Sequence, residues 1–500
     1  MKRLLVKWHN ALGWWALTGI VIWGASAIAH PVMSWFGPQS VNFFPPRMVL
    51  SPDKLPVLSA SIMQADVVDG AKIIKVVAGK TGPLLQITRD EQRPREYFDL
   101  STESYLHDHD AKQAEWLAAY YTDLPTADIE EVYFQTAFSE DYPSVNRLIP
   151  VYRIRFGDSE QTTAYIYTET AALASLSNQF KRNVQWVFQN LHTFSWLDRF
   201  EFGRVIVIVL WMLCLAATAI VGFALVIALK SRKIKDKNRR YHRWFAYVLW
   251  LPLLGWSSSG FYHILQSSFV STTLGVRLAS AIPTHESTSF GENHLSELSQ
   301  FSINALSLVY SENDQLYWRA SVSPLLSEAP SSREQRFSGK PMEQKSMYIP
   351  VQKNAGDMIV SDQHFVVALA KRYAGVGDEG IGAVTRVTSF GPNYDFRNKR
   401  LPVWRVEIND GAGTWIFVDP RTGVLVDQSR SIDRAERWSF SLLHKWNHLT
   451  PFMGRQLRDV IIVITLVMIV LISAFGAALL VKRQRKKRKQ VTSDAVLLAD

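Results

Sequence analysis

Four stretches of the chain consist of uncharged and mostly apolar residues. No Asp, Glu, Lys or Arg occurs in residues 8–46, 205–229, 244–276 and 460–481. A helix of about 20 apolar residues crosses the ~30 Å hydrocarbon core of a membrane. The pattern therefore predicts four transmembrane helices in contact with membrane lipid, at residues 8–30, 203–229, 244–266 and 458–481.

The two long segments between these helices have the pattern of folded, water-exposed domains. In 31–202 and 267–457, the alternation of apolar and polar residues typical of strands is clearest at Val151–Phe156 and Val403–Ile408. Turn residues follow each of these strands, and a helix-like stretch precedes each. A helix packed on a hairpin makes an α+β layer. We therefore expect a membrane α-helical bundle with two α+β extracytoplasmic domains.

The two halves of the sequence are copies of each other. Four residues of the first apolar stretch recur 233 residues later: His9, Trp23, Ser26 and His30 as His242, Trp256, Ser259 and His263. The motif W-x-F-x-x-L-H also occurs twice, ending at His192 and at His444. Because the later copy of the first stretch is internal, we interpret that stretch as a retained span rather than a cleaved signal peptide. Each half is predicted to be helix, external domain, helix.

The net charge of +10 is concentrated in three short blocks next to the apolar stretches. Residues 1–7 contribute +3, the loop 230–243 contributes +7 and the tail 482–500 contributes +5, so that the rest of the chain is net −5. Lys and Arg are enriched on the cytoplasmic side of membrane spans. We therefore place both chain ends and the 230–243 loop in the cytoplasm and the two large domains outside. This placement of the charge argues against nucleic acid as a partner.

Six histidines occupy repeated positions near the ends of the predicted spans. They form three matched sets: His9 with His242, His30 with His263, and His192 with His444. In the first and third spans the two histidines are 21 residues apart, which is ~31 Å of helix on nearly one face. Each of these helices therefore offers one imidazole at each membrane border. Two facing imidazoles can be the axial ligands of a six-coordinate haem.

This pattern favours two haem b groups held between the helices. We assign one haem to His9 and His242. Three choices stay open for the other: His30 with His263, His192 with His444, or pairs that mix these two sets. The alternative is that the histidines are interfacial anchors in a belt of Trp and Tyr side chains.

Other candidate ligands are weaker. His448 follows His444 by one helical turn, but its counterpart in the first half is Trp196. His107 and His109 alternate with aspartates, a pattern that can bind a metal ion but more often faces solvent. No nucleotide-binding fingerprint, Gly-rich phosphate loop or nucleophile motif occurs. We therefore expect electrons to arrive from a separate donor, either a quinol or a cytoplasmic reductase.

Part of the second half resembles a known domain. The segment Trp415-Ile-Phe-Val-Asp-Pro-Arg-Thr-Gly-Val-Leu is similar to the end of a PepSY domain. Together with spans that begin with Trp-His or Leu-His, it makes nearly the whole chain resemble the PepSY-associated transmembrane family. The first half departs from the pattern, because Tyr167-Thr-Glu-Thr-Ala stands where the second has Asp419-Pro-Arg-Thr-Gly. Its copy of the PepSY signature is therefore degenerate.

The resemblance implies a multi-pass protein of the bacterial inner membrane with two periplasmic PepSY-like domains. That family includes iron-regulated membrane proteins and ferric-siderophore reductases. The implied function is a haem oxidoreductase that passes electrons across the membrane to a ferric siderophore or other ferric chelate in iron acquisition. The alternative is a non-catalytic PepSY membrane module that binds peptides or restrains a periplasmic peptidase. A transporter is poorly supported, because the four apolar stretches contain no charged residue to couple ions.

Overall fold

The computed structural model describes residues 1–48, 50, 58, 69–229, 236–273, 276–282, 298, 301–311, 315–324, 345–351 and 361–497, with side chains up to Lys486. Residues 230–235 of the predicted basic loop and the end of the predicted basic tail lie outside this description. Two compact units are present. The helical unit consists of Met1–Gly37, Phe180–Thr272 and Ala435–Asp500. The sheet unit consists of Pro38–Gln179 and Thr273–Arg434.

Long helices dominate the helical unit, and shorter ones occur in both units. The α-helices discussed below are α1 (Lys2–Phe36), α2 (His109–Thr122), α3 (Gln179–Leu191), α4 (Glu201–Ala228), α5 (Lys237–Phe269), α6 (Asp362–Ala374), α7 (Ser431–Ser439) and α8 (Thr450–Leu497). α1 packs against α4 and α8, and α5 packs against the same two helices. These four helices therefore form a closed bundle with an apolar core that includes Ile20, Met212, Leu249 and Ile469.

Three helical segments of this bundle are long and apolar enough to cross a membrane. They are Lys2–Phe36, Ser195–Ala228 and Asn447–Lys486, and they mark the chain as a membrane protein. Helix α5, which contains the predicted span 244–266, is not among them within the described residues. Polar residues such as Ser257, Ser259 and His263 lower its mean hydropathy. Sufficient length and apolarity to span a membrane are thus confirmed for three of the four predicted helices, and the fourth span stays a prediction.

The ends of the two predicted external segments belong to the helical unit. Residues 180–200 and 435–449 group with the long helices, although the sequence analysis places them in the external domains. The reason lies in α3 and α7, which carry their apolar side chains on one face. Trp186 and Trp438, at matching positions of the two halves, are both exposed on these helices. An amphipathic helix of this kind suits the border of a membrane better than a soluble domain.

Antiparallel strands make up most of the sheet unit. The strands are β1 (Ile73–Ala78), β2 (Pro83–Thr88), β3 (Glu96–Asp99), β4 (Ser104–Leu106), β5 (Ile129–Gln135), β6 (Val151–Phe156), β7 (Thr163–Tyr167), β8 (Ala172–Ser177), β9 (Phe301–Tyr310), β10 (Leu316–Pro324), β11 (Lys345–Pro350), β12 (Ile381–Val387), β13 (Val403–Ile408), β14 (Trp415–Val418) and β15 (Leu425–Ser429). The two strands predicted most clearly from alternation are β6 and β13, with the same bounds.

Each half contributes one four-stranded sheet with a helix on it. β5–β8 are adjacent in chain order and pack against α2, and β12–β15 pack against α6 in the same way. Leu117 of α2 shares a core with Ile154 and Ile166, while Leu369 of α6 shares one with Val406. The predicted α+β layers are therefore confirmed in both halves.

A seven-stranded sheet joins the two halves, in contrast to the expectation of two separate external domains. Its order is β11-β10-β9-β1-β2-β3-β4, so that β1 of the first half pairs with β9 of the second. The pairing is antiparallel, with Val76 opposite Leu306. Both of these strands are rich in apolar residues, and their pairing removes two sheet edges from solvent.

A buried ionic cluster also connects the halves. Glu169, in the degenerate turn of the first half, forms ion pairs with Lys75 at 2.7 Å and with Arg400 of the second half. Arg400 in turn binds Asp419, 3.0 Å away, in the PepSY-like turn. Glu169, Arg400 and Asp419 are all at most 1% exposed. Glu169 therefore takes part in a contact between the two halves. It belongs to the segment where the first half departs from the PepSY-like turn sequence, so the different sequence there makes a contact of its own.

We predict that Glu169→Gln lowers the stability of the protein by about 3 kcal/mol, because it leaves buried Arg400 with one carboxylate fewer. Burial alone would raise the pKa of Glu169, but Arg400 and Lys75 lower it from 4.5 to about 2. Since this pKa is depressed in the folded state, the stabilisation is present above pH 4.5 and is lost as the pH falls toward 2. Thermal unfolding of the full-length protein in detergent between pH 7 and pH 3 measures both effects.

Glu131→Gln is the matched control. Glu131 forms its ion pair with Arg153 at the surface, where both side chains are one-third exposed, so its loss should cost less than about 1 kcal/mol. Equal destabilisation by the two substitutions would contradict a special role for the buried cluster.

Candidate functional site

His9 of α1 and His242 of α5 face each other inside the helical unit. Their ring centres are 6.0 Å apart, and the ring planes are inclined by 59°. Two metal–nitrogen bonds of about 2 Å each, placed end to end between two imidazoles, put the ring centres about 6 Å apart. The spacing of this pair therefore suits one metal ion between the two rings.

A glycine lies beside each ring of this pair. A Cβ atom at Gly222 of α4 would be 3.5 Å from Cε1 of His9, and one at Gly476 of α8 would be 3.2 Å from Cε1 of His242. The two contacts are equivalent, since each histidine meets the second long helix of its own half. Glycine here leaves room for the imidazoles and for a flat group between the helices.

The ring nitrogens of this first pair are in different environments. Nδ1 of His242 lies 3.0 Å from the carbonyl oxygen of Ile472. A carbonyl only accepts hydrogen bonds, so Nδ1 must be the protonated nitrogen and Nε2 keeps its lone pair. Nδ1 of His9 is buried without a hydrogen-bond partner among the described residues. An orphaned imidazole nitrogen in an apolar bundle is costly unless a ligand uses it.

His192 and His444 form a second facing pair. Their ring centres are 6.2 Å apart, with the ring planes nearly perpendicular at 84°. Each ring is stacked on a phenylalanine one turn earlier, His192 on Phe188 at 4.6 Å and His444 on Phe440 at 4.5 Å. A single π-helical turn, Phe440–His444, holds the second of these histidines, and such turns are frequent at functional sites.

A serine fixes the orientation of each ring in this pair. Oγ of Ser26 and Oγ of Ser259 each lie 3.1 Å from Nδ1 of His192 and His444, respectively. Both hydroxyls donate to the carbonyl of the tryptophan three residues earlier, so their oxygens are left to accept from Nδ1–H. The two Nε2 atoms therefore carry lone pairs that can bind a metal.

A tryptophan holds the backbone at each of these histidines. Nε1 of Trp23 donates to the carbonyl of His192, and Nε1 of Trp256 donates to that of His444, both at 2.9 Å. Ring and backbone of each histidine are thus attached to the first long helix of its own half. The same two hydrogen bonds, with the same distances, occur in both halves. The duplicated residues therefore position both histidines of the pair in the same way.

His30 and His263 lie beside this second pair. The ring of His30 is 6.3 Å from that of Phe188, and the ring of His263 is 4.7 Å from that of Phe440. His263 also bonds through Nδ1 to Glu436, at 2.6 Å. Of the pairings left open by the sequence, the structure brings together His192 and His444 in facing geometry and places His30 beside Phe188 and His263 beside Phe440.

The weaker metal candidates are dispersed. The ring of His107 packs on Tyr105 and that of His109 packs on Tyr97, with centres 4.8 Å and 5.3 Å apart. His448 lies in the short turn Asn447–Leu449 before α8. In the part of the chain that the structure describes, no group of three or more His, Cys, Asp or Glu side chains is arranged to hold a metal ion.

Sequence reasoning overlooked several residues that shape the site. Phe188 and Phe440 are inside the repeated W-x-F-x-x-L-H motif, and Trp23 and Ser26 are inside the first repeat. The sequence shows that these residues recur in both halves. It does not show the hydrogen bonds and ring stacking that explain the recurrence. The glycines beside the first pair had no signal of their own, since glycine is common in membrane helices.

No model of a protein family and no curated protein matches this chain. The resemblance to the PepSY-associated transmembrane family therefore stays an expectation from the residues. The function is argued from the paired histidines and their surroundings.

We predict that Gly476→Ala destabilises the helical unit by about 1 kcal/mol, because its Cβ would be tighter against His242 than an ordinary contact. The matched control is Gly255→Ala in α5, where the nearest atom would be 3.8 Å away. That substitution should be neutral or slightly stabilising, since alanine favours a helix. Thermal unfolding of the two full-length variants measures the difference. Equal melting temperatures would contradict the close packing at Gly476.

Proposed function

We propose that the chain is an inner-membrane oxidoreductase that holds two haem b groups and passes electrons to a ferric chelate, such as a siderophore, in the periplasm. The observation that carries the proposal is the presence of two facing histidine pairs, each with ring centres about 6 Å apart. Two imidazoles at this spacing match the axial ligands of a six-coordinate haem. Facing helices of a bundle are a common place for such a cofactor.

The nitrogen environment supports haem over a purely structural role. Histidines that bind a metal typically donate their other ring N–H to a carbonyl or hydroxyl, which orients the ring. His242 has such an acceptor in Ile472, and His192 and His444 have theirs in the two serines. Interfacial anchors would need no such matched acceptors and no partner ring at a fixed distance.

The proposal includes four membrane spans, with α5 as the fourth. α5 occupies the same position between α4 and α8 as α1 does, and it carries the second member of two of the three repeated sets, His242 and His263. His9 and His242 lie near the basic blocks, which places them at the cytoplasmic border. His30 and His263, 21 residues further along their helices, then lie at the periplasmic border with the second pair.

When bound, haem supplies reversible one-electron transfer between its ferrous and ferric states. The protein's part would be to hold each haem between helices, to orient the imidazoles by the serine and carbonyl contacts, and to provide one site near each border of the membrane. The donor on the cytoplasmic side is a quinol or a cytoplasmic reductase. In the acceptor, hard oxygen ligands prefer Fe³⁺ to Fe²⁺, so one-electron reduction loosens the chelate and releases iron.

The two helix-covered sheets of the sheet unit complete the proposal. In this hypothesis, β5–β8 with α2 and β12–β15 with α6 are the PepSY-like layers, and they lie in the periplasm. Their role would be to receive the chelate or a protein that delivers it.

We predict a Soret band in the purified full-length protein that shifts on reduction with dithionite, with two haem b groups per chain. His9→Ala or His242→Ala should remove one haem, and His192→Ala or His444→Ala should remove the other, because each removes one axial ligand. The pyridine haemochrome assay counts the haem that remains.

His448→Ala and His107→Ala are the matched controls and should keep both haems. A colourless wild-type protein would overturn the proposal and favour a PepSY module that binds peptides or a peptidase. Full haem content in all four ligand variants would overturn the axial assignment.

A further inference from the structure

The two halves differ in charge around the second histidine pair, although they are copies. Directly after His444 the second half has Lys445, where the first half has Thr193. Eight residues before His444 it has Glu436, where the first half has Val184. These substitutions break the symmetry of an otherwise duplicated site.

Positive charge gathers around His30. Lys445, Arg455 and Arg458 act electrostatically on the His30 imidazole, and Asp459 opposes them. Three cations against one carboxylate leave two positive charges in excess. We call the surface formed by His30, Lys445 and Arg455 the cationic rim.

The cationic rim is both close to the second pair and open to solvent. Nζ of Lys445 lies 5.0 Å from the ring of Phe440, which is stacked on His444. Lys445 is exposed, and the side chain of Arg455 is 39% exposed. Arg455 donates to Oγ of Ser34, one turn after His30, at 2.8 Å. Asp459 is buried and forms ion pairs with both Arg458, at 2.5 Å, and Arg455, at 3.7 Å, so it offsets one of the three cations.

Glu436 supplies a negative charge beside His263. His263 is half exposed, and Glu436 accepts its Nδ1 hydrogen bond with only 12% of the carboxylate side chain exposed. A negatively charged molecule that approaches the second pair is therefore attracted to Lys445 and Arg455 and repelled by Glu436. Oriented fields of this kind raise association rates and select the direction of approach.

We propose that the cationic rim is the docking surface for a negatively charged iron(III) chelate, which receives its electron there. The inference rests on the proposed function and adds the charge of the substrate and the side on which it binds. One electron leaves the ferrous haem iron held by His192 and His444, which becomes ferric, and the Fe³⁺ of the chelate becomes Fe²⁺. The bound chelate gains one negative charge, and the quinol or cytoplasmic reductase restores the electron.

The test compares two simple one-electron acceptors of opposite charge. The full-length protein in nanodiscs of uncharged lipid is reduced with one equivalent of dithionite per haem and mixed by stopped flow with ferricyanide, a trianion, or with hexaammineruthenium(III), a trication. For Lys445→Gln with Arg455→Gln, we expect the second-order rate with ferricyanide to fall roughly tenfold at low salt. The difference should shrink at high salt, because the attraction is screened. The rate with the trication should rise or stay unchanged.

Two control variants separate docking from other effects. Glu436→Gln should slow the trication and leave the ferricyanide rate within about twofold, because it removes a negative charge only. Arg239→Gln with Arg240→Gln, at the other end of the bundle, removes the same total charge as the double variant and should leave both rates unchanged.

The outcomes also distinguish this inference from the proposed function. A protein without a Soret band contradicts the proposed function itself. If the protein holds both haems but its rates do not depend on the charge of the acceptor, the cationic rim alone is overturned. An equal loss of rate with both acceptors in the double variant also overturns the cationic rim alone. If the ferricyanide rate falls in the double variant but anionic lipid in the nanodisc abolishes the wild-type advantage, the rim is a lipid headgroup site and the inference fails.

Discussion

The hydrogen bonds between α1 and His192, and between α5 and His444, are the constraint on which the candidate site depends. Each histidine lies in a short connection after an amphipathic helix, where a side chain would otherwise rotate freely. A serine holds the ring and a tryptophan holds the carbonyl. With both rings fixed, the distance between them follows from the packing of the four-helix bundle. The proposed haem site depends on these hydrogen bonds, which hold the imidazoles in place before the cofactor binds.

Much of the architecture could be read from the residues, because membrane spans and repeats leave strong one-dimensional signals. The charge-free stretches located the long helices, and alternation located β6 and β13 with their final bounds. Helix α5 is not among the helices apolar enough to cross a membrane, since its serines and histidines lower its mean hydropathy. The seven-stranded sheet was not predicted at all. Pairing of β1 with β9 joins residues more than 200 positions apart, and no local pattern encodes it.

The sequence predicts which histidines form the site but not which of them face each other. The two repeats, in which matching residues are 233 or 252 positions apart, identify all six histidines. The spacing of histidines along a single helix does not determine which rings face each other. That depends on how α1 and α5 lie across the bundle. Phe188, whose ring is near both His30 and His192, has no equivalent in a helical-wheel argument for α1, because it belongs to α3. Geometry in three dimensions, rather than residue type, separated the facing pair from its neighbours.

The shared sheet has a consequence for the origin of the chain. β1 and β9 are corresponding strands of the two halves, and they meet antiparallel, as they would across a two-fold axis. A protein made of one half alone would expose that strand as an unprotected edge and would lack one ring of each facing pair. Such an ancestor could complete itself only by associating with an identical copy. The present molecule is therefore best understood as a fused homodimer, in which fusion freed each copy to diverge, as Glu169 and Lys445 have done.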